Sequence, residues 1–71
     1  MSKYSGGQVR ENIKIGSEVE VIQKYDQSSG ALTWGIVKRI LTKSPNHTHG
    51  IKVMLESKKV GRVKTIISED E

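Results

Sequence analysis

Four short segments of this chain alternate apolar and polar residues with period two, and this alternation restricts the fold more than any other feature. The segments are residues 17–25, 31–42, 51–56 and 60–68, and their apolar positions are mostly β-branched. Successive side chains of a strand point to opposite faces, so the alternation predicts half-buried strands. Four or five short antiparallel strands in 71 residues are too few for a two-sheet sandwich. They predict an all-β fold, a small antiparallel SH3-like barrel that leaves few open sheet edges.

An OB-fold is the alternative, but it places a helix between its third and fourth strands, where this chain has no helical stretch. Val9 and Ile13 lie four residues apart and predict one helical turn that ends at Gly16. We expect a flexible N-terminus over residues 1–8, one barrel domain over 9–68 and a flexible acidic tail over 69–71. The alternation predicts these inward residues: Val19, Val21, Ile36, Ile40, Ile51, Val53, Leu55, Val63 and Ile67.

The sequence contains one internal repeat of six residues. The stretches 35-GIVKRI-40 and 61-GRVKTI-66 both read G-x-V-K-x-I. Chance can produce such a match in a β-rich chain. The alternative is that both strands use a glycine at a bend or bulge, then an inward valine, an outward lysine and an isoleucine.

The charge is unevenly distributed along the chain. Residues 69–71 are all acidic, so residues 1–68 hold 12 basic and 5 acidic residues, a balance of +7. Such an excess attracts polyanions, of which nucleic acid is the commonest in a cytoplasm, although it also serves solubility alone. The chain has no cysteine, no apolar run near ~20 residues and no signal-peptide core at its start. We therefore expect a soluble cytoplasmic protein without disulfides.

Both histidines lie in the stretch 44-SPNHTHGIKV-53. A metal site needs three or four protein ligands, and with no cysteine the nearest further ligand is Glu56, so we expect no metal and no other cofactor. No positioned nucleophile or deep pocket is evident, so we expect no enzyme. Pro45 and Gly50 favour a turn that a histidine holds by bonding a neighbouring carbonyl. The other interpretation is a loop tip that faces phosphate.

Basic residues on the predicted strands form a candidate nucleic-acid-binding face. Trp34 either stacks on a base or fills the barrel, and the alternation, which places it with Leu32 and Ile36, favours partial burial. Two functions of different class remain: a module that binds the phosphate backbone of nucleic acid, RNA before DNA, and an adaptor barrel for a protein partner. The candidate binding residues are Lys38, Arg39, Lys43, His47, His49, Lys52, Arg62, Lys64 and Trp34.

The chain resembles the YwbE-like family of small bacterial and archaeal proteins. The resemblance runs from Ile13 to about Ile67 and is carried by 26-DQSSGALT-33, 41-LTKSPNHTHGIKV-53 and 60-VGRV-63. The function of that family is unknown, so the resemblance implies no catalytic or binding residue. A second, shorter likeness is to the KOW motif of ribosomal and transcription-elongation proteins, carried by Gly16, residues 19–22 and residues 35–37. It implies an SH3-like barrel that contacts RNA or protein.

Overall fold

Antiparallel strands close into a small barrel in the computed structural model, which describes residues 2–4 and 6–68. The described residues form five strands in the sheet order β1-β5-β2-β3-β4, and β4 also pairs with β5 to complete the closure. The predicted all-β fold, a small SH3-like barrel, is confirmed. The strands are β1 (Ser2–Tyr4), β2 (Glu18–Gln23), β3 (Thr33–Ile40), β4 (Lys52–Leu55) and β5 (Val60–Ser68), and short 3-10 turns span Arg10–Asn12 and Lys24–Asp26.

The strand β5 is the central element of the closure. Its first residues pair with β4, its last residues pair with β1, and its other edge pairs with β2. The segment 2–4 thus adds a strand that the sequence pattern does not predict. Flexibility of residues 1–8 as a whole stays a prediction, and the acidic tail 69–71 lies outside the described residues.

The core follows the predicted alternation with three exceptions. Ile67 is buried but is not part of the core cluster, because after the bulge in β5 the inward position belongs to Ile66. Ile40 is only half-buried, although it packs against the core. Ile36 is half-buried on the outer side of β3, so its predicted inward position is wrong, and Val37 takes that place. Apolar residues found buried in the described chain are Ile13, Val19, Val21, Val37, Ile51, Val53, Leu55, Val63, Ile66 and Ile67.

Bulges in β3 and β5 explain both the wrong prediction for Ile36 and the repeated G-x-V-K-x-I stretch. In β3, Val37 is opposite Leu55 but Arg39 is opposite Met54, so Lys38 is an extra residue without a partner in the register. In β5 the register of the pairing with β2 shifts in the same way, and Lys64 is the extra residue. One extra residue reverses which positions point inward. The predicted bulge at Gly35 therefore lies three residues further along the chain.

The glycines of the repeat allow neighbouring residues to pack closely against the strand, and they do not bend it. Gly35 and Gly61 are both buried. A Cβ at Gly35 would lie 2.5 Å from Cδ1 of Leu55, and one at Gly61 would lie 2.8 Å from the carbonyl oxygen of Ile22. Both G-x-V-K-x-I stretches therefore share one local structure: a glycine under a packed neighbour, an inward valine and a lysine at a bulge.

Candidate functional site

Strand order brings predicted basic residues onto one outer surface. Lys52 of β4 is directly opposite Arg62 of β5. Arg39 of β3 is opposite Met54, which lies two residues beyond Lys52 on the same face. Directly opposed like charges repel across a sheet. The sequence thus places two cations side by side where a bound anion would stabilise both.

A cleft of about 650 Å³ opens beside the Lys52–Arg62 pair, and we call it the basic cleft. Its lining also includes Tyr25 and Gln27, together with apolar parts of β2 and β5. None of the described residues that line it is acidic. Its cations come from separate elements and are Lys24, Lys52, Lys58, Lys59 and Arg62.

The β4–β5 hairpin fixes two of these lysines. The N–H of Leu55 donates to the Lys59 carbonyl at 2.8 Å, and the N–H of Lys58 donates to the Leu55 carbonyl at 2.8 Å. Lys58 adopts a φ of +75°, which non-glycine residues seldom take. This tight turn places both lysines beside β2, whose end carries Lys24 and Tyr25.

Arg62 connects the basic cleft to a second cleft of about 850 Å³. The guanidinium of Arg62 is partly buried and donates to the Gly50 carbonyl at 3.1 Å, which orients it. The second cleft is lined by His49, Arg62 and Lys64 and by the N-terminal segment 6–9. The two clefts share Ile22, Gln27 and Arg62, so their cations belong to one surface.

Residues 43–50, which we call the histidine loop, are attached to the N-terminal segment. Val9 and Asn46 form an antiparallel bridge, and the N–H of Arg10 donates to the Pro45 carbonyl at 2.8 Å. The N–H of His47 donates to the Gln8 carbonyl at 2.9 Å. Long-range bonds therefore hold the loop in addition to its own turn residues.

The two histidines occupy different environments. Nδ1 of half-buried His47 accepts a hydrogen bond of 3.1 Å from the backbone N–H of His49. A histidine does hold the turn, but the expectation of a bond to a carbonyl is wrong. The His49 ring is 5.8 Å from that of His47 and is exposed on the second cleft.

Several predicted site residues lie away from the clefts. Lys38 is at the Leu55 end of β4, whereas Lys64 is at the Gly50 end, so their matching places in the repeat do not bring them together. Lys43 is exposed in the histidine loop and lines neither cleft. The described residues include no group of three or more His, Cys, Asp or Glu side chains that could hold a metal ion.

Trp34 is on the outer side of β3, in an acidic environment. It keeps 56% of its surface exposed, pairs with Glu20 across the sheet, and donates from Nε1 to Glu18 Oε2 at 3.1 Å. Its predicted side, shared with Leu32 and Ile36, is correct, but that side faces outward. Nearby carboxylates disfavour the approach of phosphate to this ring.

Sequence reasoning missed four residues of the basic cleft: Lys24, Tyr25, Lys58 and Lys59. Lysines 58 and 59 occur in the short link between two predicted strands, and Lys24 and Tyr25 end another. Lysines in the turns at one end of a barrel are the sequence signal by which these residues could have been predicted, because neighbouring turns lie close together there.

Fold and surface together define a small antiparallel β-barrel protein with a basic cleft beside one hairpin. Within that class, the chain belongs to the family described as "Uncharacterized conserved protein (DUF2196)", which matches residues 6–66. It is 52% identical over 62 residues to "Uncharacterized protein YwbE" of Bacillus subtilis (strain 168), covering 87% of this chain and 95% of that protein. The YwbE-like resemblance is thereby confirmed.

No solved structure gives a significant match to this chain. Within the described part of the chain, no helix has the length and apolar character needed to cross a membrane.

Proposed function

We propose that this protein is a small, non-enzymatic, cytoplasmic module that binds nucleic acid, RNA before DNA, through backbone phosphates. The observation that supports this proposal best is the basic cleft, whose described lining holds five cations and no acidic side chain. Lysine and arginine contacts to phosphate give affinity without reading sequence. A groove of this kind suits a ligand recognised by charge and shape.

Electrostatics within the protein supports an anionic ligand. Lys52 and Arg62 are opposed on neighbouring strands, and like charges directly opposite each other in a sheet repel. A phosphate between them would replace repulsion with two attractive contacts. The bond from Arg62 to the Gly50 carbonyl already orients the guanidinium, so less side-chain freedom is lost on binding.

The preference for RNA rests on the KOW-like stretches around Gly16 and Gly35. A single-stranded RNA and a DNA of the same sequence, titrated in parallel, test it. Tighter binding of the DNA would contradict the preference but not the phosphate interface.

Alanine substitutions in the basic cleft test the interface itself. We expect Lys52→Ala, Lys59→Ala and Arg62→Ala each to weaken RNA binding, and to reduce the slope of log K against log salt by about 0.7 to 0.9, because each removes one phosphate contact. Fluorescence anisotropy from ~20 to ~200 mM KCl measures both quantities. Lys38→Ala is the matched control, since Lys38 is also an exposed strand lysine but lies outside both clefts.

Two results would contradict the proposal. If the unaltered protein does not bind RNA at ~20 mM salt, where screening is weakest, the nucleic-acid function is wrong. If Lys38→Ala matches Lys52→Ala in both affinity and slope, the binding is diffuse and the basic cleft is not its site.

A different surface favours the alternative function, an adaptor for a protein partner. Trp34 and Ile36 on the outer side of β3 form an apolar stripe with Leu32, which directly precedes the strand; Leu32 is 46% and Trp34 56% exposed. Trp34 is the only tryptophan, so its fluorescence reports on this face. A protein that docks here should shift the emission to the blue, and RNA in the basic cleft should leave it unchanged.

A further inference from the structure

Tyr25 is the most exposed of the large hydrophobic side chains that the structure describes, with 91% of its surface accessible. It lies in the 3-10 turn after β2 and lines the basic cleft together with Lys24 and the hairpin lysines. The neighbouring Asp26 is half-buried and does not line the cleft. An aromatic ring with solvent on its faces therefore stands among cations.

Trp34 provides the contrast within the same molecule. It is also an exposed aromatic residue, but its N–H is bonded to Glu18 and its cross-strand neighbour is Glu20. A nucleic acid that stacks on Trp34 would bring its phosphates towards carboxylates. Tyr25 offers a stacking surface beside lysines. A nucleic acid should therefore stack on Tyr25 in preference to Trp34, because lysines attract its phosphates and carboxylates repel them.

We infer that Tyr25 stacks on an unpaired base while the lysines of the basic cleft bind the adjoining phosphates, so that the ligand is a single strand. This inference rests on the proposed function and adds the class of nucleic acid. In a duplex the base faces are covered by neighbouring base pairs, and an isolated ring at the rim of a cleft has nothing to stack on. In a single strand the faces are free, and stacking on an aromatic side chain is tolerant of sequence because every base has a π-face.

The position of Tyr25 suits this arrangement. The 3-10 turn Lys24–Asp26 follows β2 directly, and the backbone N–H of Gly30 donates to the Asp26 carbonyl at 2.8 Å, which closes the next turn, residues 26–30. Lys24 precedes Tyr25 in the chain, and Lys52, Lys59 and Arg62 line the cleft beside it. A phosphate on either side of a stacked base would therefore meet a cation.

The test compares a 12-nucleotide single-stranded RNA with its duplex form by fluorescence anisotropy at ~50 mM KCl. We expect Tyr25→Ala to weaken single-strand binding by roughly 5- to 100-fold, the usual effect of losing one stacked base, and to leave duplex binding within about twofold. Tyr25→Phe keeps the ring and should stay within about threefold of the unaltered protein. Trp34→Ala, the matched aromatic control, should leave the affinity for both RNAs unchanged.

The outcomes separate the inference from the function on which it rests. If the unaltered protein binds neither RNA, the proposed function fails and the inference with it. If it binds the single strand and Tyr25→Ala binds it equally well, the inference alone fails and phosphate binding remains. If Tyr25→Ala weakens both RNAs equally, the ring does not select single strands, and the inference is again overturned.

Discussion

His47 and His49, two residues apart, are assigned different roles by their surroundings. The backbone of His47 bonds to Gln8 and its Nδ1 to the N–H of His49, so this residue is part of the loop structure. His49 is exposed and lines the second cleft with Arg62 and Lys64, so its ring is available to a ligand.

Substitution of each histidine should separate stability from binding. We expect His47→Ala to lower the free energy of unfolding by ~0.5–1.5 kcal/mol, because the N–H of His49 loses its acceptor. His49→Ala should change it by less than ~0.5 kcal/mol, as for other exposed side chains. Urea denaturation measures both free energies, and equal effects of the two substitutions would contradict the assignment of different roles to His47 and His49.

At the scale of single elements, the bulges at Lys38 and Lys64 determine which side chains fill the barrel. Before the bulge in β5, odd-numbered Gly61 and Val63 point inward, and after it Ile66 does. The extra residue lets one strand pair with β4 at its start and with β1 at its end while it bends around the core.

Deleting Lys64 tests the function of the bulge. The deletion leaves Thr65 directly after Val63, so regular alternation keeps Thr65 outward and Ile66 inward. What the deletion removes is the bend that lets β5 pair with β4 at its start and with β1 at its end. We therefore expect it to lower the free energy of unfolding by ~0.5–3 kcal/mol, a large part of the stability of so small a domain. Lys64→Ala, which keeps the bulge, should change stability by less than ~0.5 kcal/mol. Urea denaturation that finds the deletion as stable as Lys64→Ala would show that β5 does not need the bulge to bend around the core.

At the scale of the whole molecule, charge is unevenly distributed over the barrel surface. Glu18 and Glu20 are on β2 beside Trp34, while the cations of the basic cleft gather beside the β4–β5 hairpin. Clustered like charge destabilises the folded state through self-repulsion. The barrel therefore carries an electrostatic cost at the site where we propose that phosphate binds.

Salt should consequently stabilise the free protein. The Debye length falls from about 30 Å at 0.01 M to about 10 Å at 0.1 M, so we expect the melting temperature to rise by a few degrees between these salt concentrations. Lys52→Ala should reduce this dependence because it removes one of the opposed cations, and Lys38→Ala should preserve it. Circular dichroism melts provide the measurement. A melting temperature that is flat or falls with salt would show that the cleft stores no significant repulsion.

The sequence by itself determined the strands and most of the core, because alternation is a local property that any pairing partner leaves intact. Val19, Val21, Val53 and Leu55 are buried as the pattern predicts. The tertiary structure alone decided which residues of β3 and β5 point towards the core, since a bulge arises from the register between two strands and not from either strand by itself. It also decided the membership of the basic cleft. Lys24, Lys52 and Lys59 come from different elements that meet only when β5 pairs with both β2 and β4. No pattern along the chain records a distance between residues that far apart in sequence.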